Sequence, residues 1–177
     1  MNSTDKLTST EKVCERAAEG ADHWPAYPIE SVQWLIGNQP ARVLELGAGT
    51  GKLTATLCAL GHDVVATDPS ADMLVRLAST APAARTALAR AEDIPLAPAS
   101  ADVVVAAQAF HWFDRERALT EIARVLRPGG ALALLWNSGD LKVPWVKRVV
   151  DLIDTPGVGD TNPVEQSDLV EATESRV

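Results

Sequence analysis

The sequence predicts an α/β fold, in which an open parallel β-sheet carries helices on both faces. Along the 177 residues, short apolar runs alternate with stretches in which apolar residues recur at helical spacing, and this alternation is typical of a parallel sheet. The first apolar run, Arg42 to Leu46, passes directly into a glycine cluster and then into a helical pattern. That order of strand, tight turn and helix is the start of a βαβ unit, whose crossover connections are right-handed.

Two helices are predicted before this strand. The first runs from about Ser9 to Glu19, and the second begins at Pro28 and ends at Gly37. Residues 23–27 between them are rich in proline and aromatic residues, and they can form a lid over a pocket or an ordinary loop with surface aromatics. The apolar side of the second helix is made of Ile29, Val32, Leu35 and Ile36.

The glycine cluster reads G-A-G-T-G from Gly47 to Gly51. A turn without Cβ atoms lets the backbone approach a ligand closely, and the helix start behind it favours an anionic group. The phosphate-cradling loop is excluded, because Leu46 and Leu53 stand where its first glycine and its hydroxyl belong. The dinucleotide pattern needs its third glycine one residue later. The pattern E-x-G-x-G-x-G fits, with Glu45 leading, and a turn that merely closes the βα unit is the alternative.

A second strand is predicted from Asp63 to Thr67, followed by a helix from Ala71 to Ser79 with Ser70 as its cap. The strand leads into Asp68, which lies about where a ribose-binding carboxylate belongs after such a glycine loop. A carboxylate can accept hydrogen bonds from both ribose hydroxyls. Because Pro69 follows, Asp68 can alternatively be a turn-forming residue.

The next elements of the chain bring further candidates for the site. Met73, in the first turn of that helix, can cover an adenine face or equally fill the core. A weak third strand is predicted from Thr86 to Arg90, and a fully buried fourth strand from Ala101 to Ala107. The residues after it, Gln108 to Phe113, read Q-A-F-H-W-F. Open α/β sheets bind ligands at this end of their strands, although a histidine here can also be a hydrogen-bonded core residue.

The remaining elements complete the predicted sheet. They are a helix from Asp114 to Leu126, an R-P-G-G turn, a fifth strand from Ala131 to Trp136, and an amphipathic helix from Pro144. Beyond Thr155 the sequence is polar and acidic, without a strand-like run. In the helix from Asp114 to Leu126, the residues expected to face inward are Leu119, Ile122, Val125 and Leu126.

These motifs together resemble those of the class I S-adenosylmethionine (SAM) methyltransferases, in particular their type 11 domain. The glycine motif, Asp68 and the Q-A-F-H-W-F string occur in the order of that class, and the string is similar to that of methyltransferases related to trans-aconitate methyltransferase. L-R-P-G-G before the fifth strand is another hallmark. The resemblance covers roughly Trp24 to Ile153. It implies a Rossmann-like sheet of order 3-2-1-4-5 that lacks the usual final antiparallel strand pair.

The resemblance also implies a reaction and roles for single residues. SAM would be the cofactor, and its methyl group would pass by SN2 displacement to a small-molecule acceptor, which needs no base if it is a carboxylate. Gln108 would lie beside the cofactor, whereas His111 and Trp112 would be the catalytic residues that face the acceptor. The implied cofactor-binding residues are Glu45, Gly47, Ala48, Gly49, Gly51, Asp68, Met73, Ala91, Glu92, Asp93 and Gln108. Among them, Glu45 would act on the cationic amine of SAM through water or the loop. The segment from Ala91 to Leu96 resembles the D-A-E-x-L-P segment of the class, in which a backbone N–H and an acid meet the adenine edge, so that Glu92 or Asp93 would make this contact; otherwise both are solvated loop acids.

Composition and charge indicate the kind of partner and the compartment. The net charge of −8 is concentrated after Asp151, where Arg176 is the only basic residue, and it argues against a nucleic-acid substrate. Cys14 and Cys58 are the only cysteines, no apolar run could span a bilayer, and residues 1–10 lack a signal-peptide core. A cytoplasmic protein without a membrane partner is therefore expected, and no metal site is predicted.

Three regions are predicted: a helical lid region in residues 1–40, a SAM-binding core in 41–154, and an acidic, flexible tail in 155–177. Since the final strand pair is missing from the sequence, we expect a shortened, weakly active member of the class. Its fifth strand, Ala131 to Trp136, would be an unpaired edge through which chains self-associate. A non-catalytic SAM-binding or partner module is one alternative, and a nicotinamide oxidoreductase, disfavoured by the glycine spacing, is another.

Overall fold

The computed structural model describes residues 26–137 and 140–153. The residues up to Leu135 and those from Trp136 onward form two compact units, which are described separately. The second unit contains helix α5 (Pro144–Ile153). The elements of the first unit are α1 (Ile29–Ile36), β1 (Arg42–Leu46), α2 (Lys52–Ala59), β2 (Asp63–Asp68), α3 (Ala71–Thr80), β3 (Arg85–Leu88), β4 (Ala101–Ala107), α4 (Arg115–Val125) and β5 (Leu126–Leu135).

Within the described residues the strands form a five-stranded sheet in the order β3-β2-β1-β4-β5. Every neighbouring pair is parallel, so the predicted architecture and strand order are confirmed. Val43 of β1 pairs with Val64 of β2 on one side and with Val103 of β4 on the other. Because all strands run in the same direction, the carboxyl ends of β1, β2 and β4 lie along one edge of the sheet.

Apolar residues of β1 alternate between the two faces of the sheet. Val43 packs in a buried cluster with Val32 of α1 and Leu57 of α2. Leu44, the next residue, packs in a different cluster with Ile122 of α4. Successive side chains of a strand point to opposite faces, so the single strand β1 anchors helices on both sides, as predicted.

Two apolar residues that were predicted to face inward are exposed. Ile29 at the start of α1 is 50% exposed, and Leu119 of α4 is 44% exposed. The buried face of α4 consists of Ala118, Ile122 and Val125, which follow the i, i+4, i+7 spacing of one helical stripe. Leu119 is rotated by about 100° from Ala118 around the helix axis, and the stripe that packs on the sheet leaves it in solvent.

The third and fifth strands differ from the prediction at their ends. β3 starts and ends earlier than predicted, and Arg90 instead forms an isolated antiparallel bridge with Asp93. β5 starts directly after α4 and ends at Leu135. Its first residue, Leu126, pairs with Ala101, but the pairing becomes regular only from Ala131, so the R-P-G-G residues form an irregularity inside the strand. The sequence prediction treated them as a separate turn.

Some predictions concern parts of the chain that the structure does not describe. The helix from Ser9 to Glu19, residues 23–25 of the joint, and the tail in 155–177 lie outside the described residues. In the described part, β5 is at the edge of the sheet, and self-association through it stays a prediction, as do the boundaries of the three regions. None of the described helices is long and apolar enough to cross a membrane.

Candidate active site

The three glycines of the loop between β1 and α2 have different surroundings. Gly47, Gly49 and Gly51 all have positive φ values, 67°, 56° and 85°, a region that residues with a Cβ atom rarely adopt. A Cβ on Gly47 would lie 2.6 Å from the Cβ of Ala109, and one on Gly51 would lie 2.7 Å from the Cγ of Leu77. A Cβ on Gly49 would meet no atom within 4 Å. Gly47 and Gly51 therefore allow close packing with other parts of the fold, whereas Gly49 borders open space.

Asp68, the last residue of β2, ties this loop to the second strand. Its buried carboxylate accepts hydrogen bonds from the backbone N–H of Gly49 at 2.9 Å and of Ser70 at 2.8 Å. Burial raises the pKa of Asp68, and the two N–H donors oppose that increase. A carboxylate offers about four acceptor positions, so two remain for a ligand in the space beside Gly49. The predicted ribose contact fits this arrangement and stays a prediction.

Glu45 is buried beneath the loop, where it bonds to helix α2. Glu45 is only 2% exposed. One of its carboxyl oxygens accepts a hydrogen bond from the Thr54 hydroxyl at 2.7 Å. Burial raises the pKa of Glu45 to about 8; the Thr54 hydrogen bond opposes this effect and the Asp68 charge adds to it. The group is therefore mostly protonated at neutral pH in the protein without cofactor. The sequence indicated an action on the cationic amine of SAM through water or the loop, and it missed Thr54.

Replacing Glu45 by glutamine is expected to remove a pH dependence of stability. Between the unfolded pKa of 4.5 and the folded pKa of about 8, the folded protein binds more protons than the unfolded chain, so stability falls as pH rises. The slope is at most about 1.4 kcal/mol per pH unit. Urea unfolding should show that the stability of Glu45→Gln relative to wild type increases from about pH 5 to pH 8. A constant difference over that range would contradict a neutral, buried Glu45.

The loop after β3 holds the residues predicted to meet an adenine. Ala91 is buried, and Asp93 is exposed. Glu92 is not a solvated acid, because its carboxylate accepts from the backbone N–H of Asp114 at 2.8 Å and from Arg90 at 3.3 Å. Met73 of α3 is buried, which is compatible with either of its predicted roles. The structure thus engages Glu92 with the start of α4 and leaves Asp93 free to face solvent or ligand.

The acceptor segment, residues Gln108–Phe113, follows β4 and lies against the glycine loop. Gln108 has a φ of 55°, a left-handed conformation that residues other than glycine adopt at a cost and that recurs at functional sites. Its N–H donates to the carbonyl of Leu135 at 2.9 Å. Ala109 is the residue that Gly47 packs against. The structure therefore places the predicted cofactor loop against Ala109, within the segment that carries His111 and Trp112.

The aromatic residues of this segment divide into Phe110 and the partly buried Phe113, which pack on the core, and an exposed pair. Phe110 is buried and meets Phe113 edge to face, with ring centroids 5.7 Å apart. His111 and Trp112 are exposed, Trp112 by 52%, with ring centroids 4.6 Å apart. The alternative of a hydrogen-bonded core histidine is therefore wrong. Desolvation lowers the pKa of His111, so its ring is neutral at pH 7. Within the described residues, no group of three or more His, Cys, Asp or Glu could hold a metal ion.

Comparison with known proteins decides the family. The family model of the methyltransferase domain matches residues 44–134, about half of the chain and the part that contains the glycine loop, Asp68 and the acceptor segment. The chain belongs to this methyltransferase family. Its membership confirms the resemblance to class I methyltransferases and implies SAM as the cofactor.

Individual relatives support the same family. The chain is 49% identical over 133 residues to an uncharacterized methyltransferase of Mycobacterium tuberculosis, with 75% of this chain and 55% of that protein covered. It is 42% identical over 126 residues to the malonyl-[acyl-carrier protein] O-methyltransferase of Methylococcus capsulatus, with 66% and 45% covered. A solved structure assigned to the type II methyltransferases, from Anaeromyxobacter dehalogenans, has a TM-score of 0.60 and 37% identity over 74% of this chain and 56% of that one. The chain thus spans about half the length of the curated relatives it matches.

The described residues of this chain fit the chemistry of SAM. The cofactor carries a carboxylate, an ammonium group, a sulfonium and a ribose. The left-handed backbone at Gly49 leaves room for close approach of a ligand, and the adjacent Asp68 carboxylate has acceptor positions for hydroxyl groups. The N-terminus of α2 behind the loop favours an anionic group. These residues would hold SAM.

Proposed function

We propose that this methyltransferase transfers the methyl group of SAM to a small-molecule acceptor that carries a carboxylate. The observation that supports this proposal most is the open space at Gly49. Gly49 donates its N–H to the Asp68 carboxylate, and Gly47 of the same loop packs on Ala109 of the acceptor segment. A cofactor beside Gly49 would therefore have the acceptor residues as neighbours.

Binding and alignment are the tasks that the residues of this chain would perform. When bound, SAM supplies a methyl group that is already activated by the positive charge on its sulfur. Asp68 would accept hydrogen bonds from the ribose hydroxyls, and Gln108 would border the cofactor at the end of β4. Correct alignment of two reactants can lower a barrier by roughly 7–11 kcal/mol, so holding donor and acceptor in place is sufficient for a large acceleration.

The carboxylate acceptor is supported by one relative and by the exposed residues of the segment. The name of the Methylococcus capsulatus relative records O-methylation of a malonyl group on acyl-carrier protein. A carboxylate is ionised at neutral pH, so its attack on a methyl group needs no base. Neutral His111 has one ring N–H that can donate to a carboxylate oxygen, and exposed Trp112 offers an apolar surface beside it. In this proposal His111 orients the acceptor.

Calorimetric titration with SAM, with S-adenosylhomocysteine and with NAD tests the cofactor half of the proposal. We expect binding of the first two ligands and none of NAD. Binding of NAD without SAM would contradict the proposal and favour a nicotinamide oxidoreductase. SAM binding without turnover on any acceptor would favour a non-catalytic SAM-binding or partner module.

The His111→Ala variant separates an orienting histidine from a general base. Removal of a general base costs roughly 10²–10⁴-fold in turnover. For an orienting residue we expect a kcat loss of less than about 100-fold, and the ratio of wild-type to variant kcat should stay constant from about pH 5 to pH 8, a range that includes the titration of a histidine with a lowered pKa. His111→Gln, which retains an N–H donor, should recover part of the activity. A larger loss that follows a titration below the usual histidine pKa would contradict the carboxylate acceptor.

A further inference from the structure

An ion pair on helix α4 holds the loop that follows β3, residues Ala91–Leu96. The sequence motifs of the site do not include this pair. Arg124 and Glu121 lie one turn apart on α4. Arg124 Nε donates to one Glu121 carboxylate oxygen and Nη2 to the other, each at 2.7 Å. This two-bonded arrangement of guanidinium and carboxylate is the strong form of such a pair. It lowers the pKa of Glu121 to about 2, so the pair is ionised throughout the physiological range.

Both members of the pair also bind the backbone of the loop. Glu121 accepts from the N–H of Ile94 at 2.9 Å. Arg124 Nη1 donates to the carbonyl of Leu96 at 2.7 Å, and Nη2 donates to the carbonyl of Ile94 at 2.8 Å. The pair therefore binds only backbone atoms of the loop. These bonds fix the path of the loop backbone independently of the side chains that the loop carries. Ile94 is buried in the same cluster as Ala91, so the fastening extends to the residues before it.

A second attachment holds the beginning of the loop. Glu92 accepts from the backbone N–H of Asp114, the residue that caps α4 and directly follows the acceptor segment. The loop is thus bound to the start of α4 through Glu92 and to its later turns through Glu121 and Arg124. Between these attachments lie Asp93 and the backbone that would meet an adenine. A surface ion pair alone contributes little to stability, whereas this pair determines the position of a candidate ligand-binding loop.

We propose that Glu121 and Arg124 are positioning residues that hold Ala91–Leu96 in the shape that receives the adenine of the cofactor. This inference rests on the proposed function, because it concerns the same cofactor site. In this proposal neither residue contacts the cofactor itself. Their effect reaches it through the loop backbone, so loss of the pair should weaken recognition of the adenine amino group more than it weakens the fold.

The test compares two ligands and three variants of the full chain. Calorimetry gives the affinity for S-adenosylhomocysteine and for S-inosylhomocysteine, which carries an oxygen in place of the adenine amino group. We expect wild type to prefer the adenine form by about tenfold, the value of one hydrogen bond, and Arg124→Met to lose most of this preference. Arg124→Lys keeps the charge but cannot hold both carbonyls and Glu121, so it should show an intermediate preference and serves if Arg124→Met does not fold.

The control is Arg85→Met, which breaks another arginine–carboxylate pair. Arg85 donates hydrogen bonds to both carboxylate oxygens of Asp63 at 2.9 and 3.0 Å, and both side chains are exposed. The Arg85→Met variant should therefore keep the ligand preference of wild type. With active protein, Arg124→Met should raise the KM for SAM while kcat at saturating SAM changes little. A preference as large in folded Arg124→Lys as in wild type would overturn the inference. Failure of wild type to bind either ligand would instead contradict the proposed function.

Discussion

Gly49→Val is expected to abolish SAM binding while the protein still unfolds in one cooperative transition. Gly49 has a φ of 56°, and a Cβ there would point into space that contains no protein atom within 4 Å. The core would therefore not be disturbed, whereas a ligand that uses this space would collide with the new side chain. We expect at least about a 100-fold loss of affinity, equivalent to about 2.7 kcal/mol, in a titration with SAM.

Strain in the left-handed backbone is a second effect of this substitution, and it needs a matched control. Gly61, at the end of α2, has a φ of 85° and is likewise free of atoms within 4 Å of an added Cβ. Gly61→Val carries the same kind of strain outside the glycine loop. It should lower the melting temperature about as much as Gly49→Val and leave SAM affinity unchanged. If Gly49→Val binds SAM normally, the loop only closes the βα unit.

Asp68→Ala should weaken SAM binding by roughly 1.5–3 kcal/mol, as expected for lost hydrogen bonds to a charged group. Part of the loss comes from the ribose contact, and part comes from the loop, because the same carboxylate accepts from the N–H of Gly49. Asp68→Asn would separate the two contributions. It keeps an oxygen that can accept from one backbone N–H, but it replaces the other oxygen by a donor.

Asp63→Ala is the matched control for this prediction. Asp63 lies at the opposite end of β2, is exposed, and forms an ion pair with Arg85. Its replacement should change SAM affinity by less than about 0.5 kcal/mol, as is usual for surface positions. A folded Asp68→Ala protein with wild-type affinity would show that Asp68 is only a turn residue.

The sheet could be predicted from the sequence because its signals are local. The run of Val43 and Leu44 before the glycines marks a strand that is buried on both faces, and Asp68 and Gln108 follow the next strands of the unit at the same edge. The order of the strands came from the resemblance to a known class. Both the parallel sheet and the order of its strands are confirmed.

Side-chain partners across elements could not be predicted, because they depend on helix rotation and on contacts far apart in sequence. Thr54 reaches Glu45 only once α2 has packed on β1. The hydrogen bonds of Arg124 to the carbonyls of Ile94 and Leu96 span about thirty residues of the chain. Leu119 had helical spacing compatible with burial, but the rotation of α4 on the sheet selected Ala118 instead.

The use of individual glycines also required the structure. All three motif glycines look alike in the sequence, and all three have positive φ values. Their surroundings in the fold distinguish Gly47 and Gly51, which approach Ala109 and Leu77 closely, from Gly49, which borders open space. The sequence motif identifies the loop, and the packing around it identifies the glycine that a ligand would approach.

The measurement that tests the central claim most directly is methyl transfer from SAM with an isotopically labelled methyl group. The purified chain is incubated with a panel of small carboxylic acids, including malonyl thioesters, and the products are analysed by mass spectrometry. We predict that at least one acid gains the labelled methyl group as an ester, with an equal amount of S-adenosylhomocysteine formed. The Gly49→Val variant serves as the blank. If the chain binds SAM but forms neither ester nor S-adenosylhomocysteine with any acid, a methyltransferase acting on carboxylates is contradicted.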